Sequence, residues 1–355
     1  MKKLLPAIAA VVAFTSCQNK YYSVEDFPSV PKVDAHFHIN AENSALTDLA
    51  KEDNFDLITV NVDGGVRPTD NQYRMAVYQK NQSPETVEFI SVFDLHHWDS
   101  AGWANEAITK LKRSFDEGAV GIKLWKSIGM VYKDSAGNFI MIDNPRFDPV
   151  IQYVIDQDKT VLGHLGEPKN CWLPLEEMTV NNDRKYFEEH PQYHMYLHPE
   201  NPSYEDQIDA RDRFLDRHPD MRFVAAHLAS LEWDVDELAK RFDKYPNMAA
   251  DMAARICHLQ FQSQADREKV RNFFIKYQDR LIYGTDGGIG PEDDPEASKK
   301  STHDKWVEDW KYFTTDEMMT VWEVNGEFQG LQLPKEVVDK IYFSNAKRWF
   351  GVEEN

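Results

Sequence analysis

The stretch Val33-Asp34-Ala35-His36-Phe37-His38-Ile39-Asn40 alternates polar and apolar side chains, as a β-strand with one buried face does. On that reading Asp34, His36 and His38 share one face, and Val33, Ala35, Phe37 and Ile39 the other. Two imidazoles two residues apart leave a strand in parallel and are able to converge on one metal ion. Four later positions repeat the pattern. His164 ends the run Val161-Leu162-Gly163, and His227 ends Val224-Ala225-Ala226. Asp286 follows Ile282-Tyr283-Gly284-Thr285 and precedes Gly287-Gly288, while Lys123 sits inside Gly121-Ile122-Lys123-Leu124-Trp125. A polar side chain late in an apolar strand is an expensive core occupant unless it is paired or metal-bound.

Taken singly, each has a plain structural reading: a hydrogen-bonded core histidine, or an aspartate in a turn. Together, three neutral imidazoles and a carboxylate make a mixed nitrogen/oxygen site suited to one divalent metal, with room for water. Zn²⁺ is the preferred ion, and Mn²⁺, Fe²⁺ or Co²⁺ suit the same ligands. Such an ion lowers the pKa of a water from ~15.7 towards ~7. Asp286 is then placed to accept and return a proton, and His227 to polarise a carbonyl. The chemistry favoured is hydrolysis of an ester, lactone or amide, with non-oxidative decarboxylation as the rival.

Short apolar runs must position these groups. After the first strand they are Phe55 to Val62, Val87 to Leu95, Ala119 to Trp125, Thr160 to Gly166, Arg222 to Ala229, Met248 to Ala253 and Arg280 to Thr285. Helical patterns lie between them at Trp103 to Glu117, Asp148 to Asp156, Tyr204 to Arg217, Val235 to Lys244 and Gln264 to Tyr277. Strands alternating with helices predict parallel βαβ units, here an α/β protein of the (β/α)₈ TIM-barrel class. No G-x-G-x-x-G follows the first strand, which weakens a dinucleotide-binding alternative. Long connections at Lys126 to Phe147, Glu167 to Ser203 and Gly287 to Thr302 are expected as loops at the C-terminal face of the strands, where barrel active sites lie.

The 355 residues divide into a leader at 1–17, a linker at 18–30 and the barrel at 31–355 with an insertion at 167–203. Lys2 and Lys3 precede an apolar run from Leu4 to Phe14, too short to span a bilayer. Thr15-Ser16-Cys17 resembles a lipobox, so Cys17 is the expected lipidation site and the protein is expected to be exported and anchored in the bacterial envelope. The net charge of −20 argues against nucleic acid or an anionic membrane surface as partner. A small-molecule substrate is expected instead, and the lipid anchor is the one membrane contact. Cys171 and Cys257 are too few for a disulfide framework; one bridge or two free thiols are both open.

These motifs resemble the amidohydrolase superfamily, in the branch holding aminocarboxymuconate-semialdehyde decarboxylase and sugar or pyrone lactonases. The matching pieces are Asp34-Ala35-His36-Phe37-His38, Gly121-Ile122-Lys123-Leu124, Gly163-His164, His227-Leu228 and Gly284-Thr285-Asp286, with Ile341 to Gly351 resembling the closing helix. The resemblance spans residues 31 to 351. It implies a metal held by His36, His38, His164 and Asp286, with His227 beside it as acid/base or as ligand of a second ion. For Lys123 the resemblance implies a carbamylated bridge between two ions, and partnership with a substrate carboxylate or with a buried acid stays open beside it. Arg255, Trp125, His97, Trp172 and His198 stand at strand ends or in the aromatic insertion as candidate substrate contacts. That insertion, with Tyr186, Phe187, His190, Tyr193, His194 and Tyr196, is expected either to cover the barrel mouth or to pack on itself.

Overall fold

The computed structural model describes residues 20–64 and 67–352, so Cys17 and the leader lie outside the described residues. Nine parallel strands form one sheet: β1 (Lys32–Ile39), β2 (Phe55–Val60), β3 (Val87–Val92), β4 (Gly121–Leu124), β5 (Thr160–Gly163), β6 (Phe223–Ala225), β7 (Met248–Asp251), β8 (Leu281–Ile282) and β9 (Gly287–Ile289). Each pairs with its sequence neighbour from β1 to β8, and β9 pairs with β1. The sheet's two edges are therefore consecutive pieces of one segment. The Met252 N–H bonds the Ile282 carbonyl at 3.1 Å, and the Ala35 N–H bonds the Tyr283 carbonyl at 3.1 Å. The sheet curls, helices surround it, and the fold is a TIM-like α/β fold.

Around it run α1 (Ala45–Glu52), α2 (Thr69–Gln82), α3 (Trp103–Asp116), the kinked turn α4 (Ser127–Met130), α5 (Asp148–Asp156), α6 (Asn181–Glu189), α7 (Tyr204–Arg217), α8 (Val235–Lys244), α9 (Ile256–Lys276), α10 (Pro295–Thr314), α11 (Lys335–Asp339) and α12 (Asn345–Phe350). An antiparallel hairpin, β10 (Met318–Val321) and β11 (Val324–Gln329), stands apart from the main sheet. Among the described residues no helix is long and apolar enough to cross a membrane.

Alternate strand residues build two apolar layers. Ile58, Val60, Ile90, Leu162, Val224, Ala226, Ala249 and Ile282 form one cluster with Trp349 and Phe350 of α12. Leu57, Val161, Phe223, Ala225, Met248, Ala250 and Leu281 belong to the layer shared with the helices. That is the period of two expected for strands buried on both faces.

β1 departs from it. Val33 and Ala35 join the inner cluster, but Phe37 and Ile39 join the outer one. The pairing register with β2 shifts between Asp34 and Phe37, and one extra residue moves every later side chain to the opposite face. The expectation that Asp34, His36 and His38 share a face is thereby corrected. Asp34 lies on the helix side, where the Trp306 Nε1–H donates to its Oδ2 at 2.9 Å.

Other differences have local causes. Gly287 to Thr302 is not a loop: it holds β9 and the start of α10. Asp294 accepts the Ala297 N–H at 2.9 Å, with Pro295 in the first turn, a helix start that the acidic run disguised. α9 begins at Ile256, ahead of Gln264, and contains a non-helical Asp266 at φ −153°. The stretch expected as a linker packs against the body: Phe27 and Val30 are buried, and the Trp310 Nε1–H donates to the Ser23 carbonyl at 2.9 Å. Cys171 and Cys257 are both buried and unpaired.

Candidate active site

The C-terminal ends of the strands surround a cavity of about 400 Å³ lined by His36, His38, Lys123, His164, His227 and Asp286. The bulge in β1 turns His36 and His38 into it. Gly284 permits the approach of the facing segment, since a Cβ there would sit 3.0 Å from the His36 Cβ. The His36 and His38 Nε2 atoms lie 3.4 and 3.0 Å from Asp286 Oδ1. His227 stacks on His36 with ring centroids 4.8 Å apart, and its Nε2 lies 3.1 Å from His164 Nδ1.

Hydrogen-bond accounting fixes where the protons are. His38 Nδ1 faces the Val60 carbonyl at 2.7 Å, and His227 Nδ1 faces the Ala253 carbonyl at 2.9 Å. A carbonyl only accepts, so both Nδ1 atoms carry hydrogen. His36 Nδ1 faces the carboxylate of Asp251 at 2.8 Å and donates to it. Burial pushes the His36 and His227 imidazoles below their ordinary pKa, and His164 down to about 4, so these rings are neutral. The Nε2 atoms of His36 and His227 are then bare lone pairs, His38 Nε2 faces Asp286 Oδ1 at 3.0 Å, and Asp286 adds carboxylate oxygens. Facing His36 Nε2 is the ammonium of Lys123, 3.1 Å away; burial lowers its pKa to about 8.

Lone pairs that converge without protons repel one another unless a cation lies among them. His36, His38 and Asp286 bring their ligand atoms within 4.8 Å of one another, and so do His36, His227 and Asp251. Neutral imidazoles and a carboxylate are the donor set a divalent ion takes. The residues fit such an ion. His164 meets this group through His227, and its Nε2 faces Glu167 at 3.4 Å.

The strand-end aspartate of β7, Asp251, was not among the residues singled out, although it sits late in the apolar run Met248-Ala249-Ala250. It is fully buried and accepts from His36 Nδ1, from the His227 N–H at 2.8 Å and from the Ala253 N–H at 3.2 Å. His227 itself opens a left-handed turn: φ is 59°, 54°, 60° and 52° at His227, Leu228, Ala229 and Ser230. Strand alternation after Ala226 would send His227 outward, and the left-handed backbone redirects it.

Of the candidate substrate contacts, Trp125 lines the cavity, together with Arg67, Lys126 and Tyr186. Arg255 does not line it: it is buried, with Nη2 3.6 Å from Glu167 Oε2. His97 is exposed beside Glu106 at 3.4 Å. Trp172 donates to the Pro202 carbonyl at 3.4 Å, and the His198 Nε2 lies 3.0 Å from the Pro191 carbonyl. Those two rings pack the insertion against itself.

The sequence family described as Amidohydrolase matches residues 33–352. Among solved structures, 2,6-dihydroxybenzoate decarboxylase from Rhizobium aligns at 13% identity and TM-score 0.55, over 92% of this chain and 100% of that one. An amidohydrolase II aligns at 14% and 0.50 over 90% and 99%. 4-Oxalomesaconate hydratase from Rhodopseudomonas palustris aligns at 11% and 0.48 over 90% and 96%. No curated protein sequence matches the chain. At these identities the alignments with TM-scores of 0.50 and above speak to the fold, and the family match speaks to ancestry: the chain belongs to the amidohydrolase family of metal-dependent enzymes.

Proposed function

We propose that this enzyme hydrolyses an ester, lactone or amide bond in a small carboxylate or carbohydrate-derived molecule. The observation that carries the reading is the convergence of bare imidazole nitrogens and Asp286 oxygens at the floor of an open cavity. His36, His38, His164 and Asp286 would hold one divalent ion, Zn²⁺ by preference, which when bound supplies Lewis acidity and activates water. The Asp286 side chain is 32% exposed, so its carboxylate can take a proton from attacking water and return it to the leaving group. His227, with Nδ1–H committed to Ala253, offers Nε2 beside that step. Arg67 and Lys126 put cations on the wall of an acidic protein, and Trp125 and Tyr186 add flat surfaces; both suit a planar or anionic substrate. We read the segment 281–289 as the eighth strand of a closed (β/α)₈ barrel, supported by its bonds to β7 and β1.

The test pairs metal analysis with product analysis. Asp286→Asn and His38→Ala are expected to lose bound metal and to lower kcat by ~10² to 10⁴ while staying folded. Full activity after chelation, or release of CO₂ as the product of turnover, refutes hydrolysis by this centre. Export and anchoring through Cys17 belong to the same reading. Cys17→Ala should free a membrane-associated protein, and an unchanged location rejects the anchor.

A further inference from the structure

Glu167 of the insertion, Lys126 of the cavity wall and Arg255 form a buried ion cluster beside the site. Glu167, Lys126 and Arg255 are 2%, 8% and 8% exposed. The Lys126 ammonium donates to Glu167 Oε1 and to the Tyr186 hydroxyl, the latter at 3.3 Å. The Arg255 guanidinium approaches Oε2 at 3.6 Å, and the same oxygen faces His164 Nε2 at 3.4 Å. One carboxylate thus touches two cations and one imidazole.

We propose that Glu167 is a positioning residue that sets the tautomer of His164, with Lys126 and Arg255 keeping its charge in place. An ionised carboxylate only accepts, so His164 carries its hydrogen on Nε2. A neutral ring has one N–H. His164 Nδ1 is therefore bare, 3.1 Å from the bare His227 Nε2. Two lone pairs at that distance have no hydrogen between them and are both offered to a cation. Without the carboxylate, His164 would place its hydrogen on Nδ1, donate it to His227 and withdraw both nitrogens from metal binding. The inference rests on the proposed ligand role of His164.

Glu167→Gln tests it with shape preserved. Lys126 is a donor only, so the substituted amide turns its oxygen to Lys126 and its NH₂ towards His164 Nε2, which forces hydrogen onto Nδ1. Two readouts follow: ¹⁵N imidazole shifts of the metal-free protein, and zinc affinity by competition with a chelator. Wild type should show His164 with hydrogen on Nε2. The variant should show hydrogen on Nδ1 and bind zinc ~10- to 100-fold more weakly, as loss of such supporting partners does. Lys126→Met, which leaves the carboxylate in place, should give a smaller loss of the same sign. Unchanged tautomer and affinity in both variants overturn the proposal, provided His164→Ala loses zinc. If His164→Ala keeps zinc, the ligand reading fails instead.

Discussion

The two banks of the centre are held by different means. On one side His36, His38 and Asp286 come from β1 and the β8–β9 segment, and their spare nitrogens are fixed by neighbouring strands. β2 supplies the Val60 carbonyl at 2.7 Å, and β7 supplies Asp251 at 2.8 Å. On the other side His227 is aimed by four residues in a conformation that disfavours L-amino acids by about 1–2 kcal/mol each, and His164 faces a buried ion cluster. That turn persists because its surroundings over-determine it. The Tyr204 hydroxyl donates to the Ser230 carbonyl at 2.5 Å, Arg211 donates to the Ala229 carbonyl, and the Ser230 hydroxyl donates to Gly166 at 3.1 Å. The β1 bulge, strand hydrogen bonds and a single left-handed residue, Asp286 at φ 63°, orient the first bank. Stored strain and buried charge orient the second.

Asp251 joins the banks, so its loss should have the largest effect. A carboxylate accepts from His36, His227 and Ala253 at once, and an amide cannot, because its NH₂ must face one of those donors. Asp251→Asn is expected to weaken metal binding by ~10- to 100-fold and to reduce folding free energy by ~1–3 kcal/mol. Metal titration and denaturant unfolding measure the two. If only the His36 resonances shift while His227 is undisturbed, the banks are independent and the bridging role is wrong.

The members of both banks were legible from sequence, and the backbone that aims them was not, for physical reasons. A polar residue late in an apolar run marks a strand end that faces the cavity, and that rule brings His164, His227, Asp286 and Lys123 to one place; applied to Met248-Ala249-Ala250-Asp251 it also finds Asp251. The rule carries no sign of a bulge, so the faces of β1 were misassigned at Asp34. Arg255 was expected at the cavity because a residue past a strand end can turn either way, and buried Glu167 draws it off. Helices with a clear apolar stripe, α5, α7 and α8, have the bounds their periodicity predicts. α10 carries polar residues on much of its surface, and its start falls in the stretch expected as a loop. The left-handed turn at His227 leaves no trace in composition, since Leu228-Ala229-Ser230 contains no glycine.

Hydrogen bonds behind each bank sharpen the contrast. Trp306→Phe removes one donor from the buried Asp34, which also accepts from the Thr285 hydroxyl at 2.6 Å and the Thr285 N–H at 3.1 Å. A bond to a charged group contributes about 1.5–3 kcal/mol, so stability should fall by that order. Metal content should hold, because the remaining donors keep Thr285 beside Asp286. Tyr204→Phe removes a neutral donor and should reduce stability by only ~0.5–1.5 kcal/mol, yet lower kcat more than Trp306→Phe does. Equal kcat losses in the two variants would remove the distinction between a bank held by strands and a bank held by strain.

The smallest effect is expected at Ala229, whose φ of 60° sits in the middle of the turn. Glycine adopts that conformation without the steric penalty of a Cβ. Against that gain stand the extra freedom of glycine in the unfolded chain, about 0.4–1 kcal/mol, and one buried methyl. Ala229→Gly should therefore change stability by less than ~1 kcal/mol, in the stabilising direction if the strain is real. The same glycine makes other conformations of the turn accessible, so His227 is aimed less sharply and kcat falls while the metal stays bound. A destabilised Ala229→Gly with full kcat would show that the turn is relaxed as built and that His227 owes its aim to Asp251 and Ala253 alone.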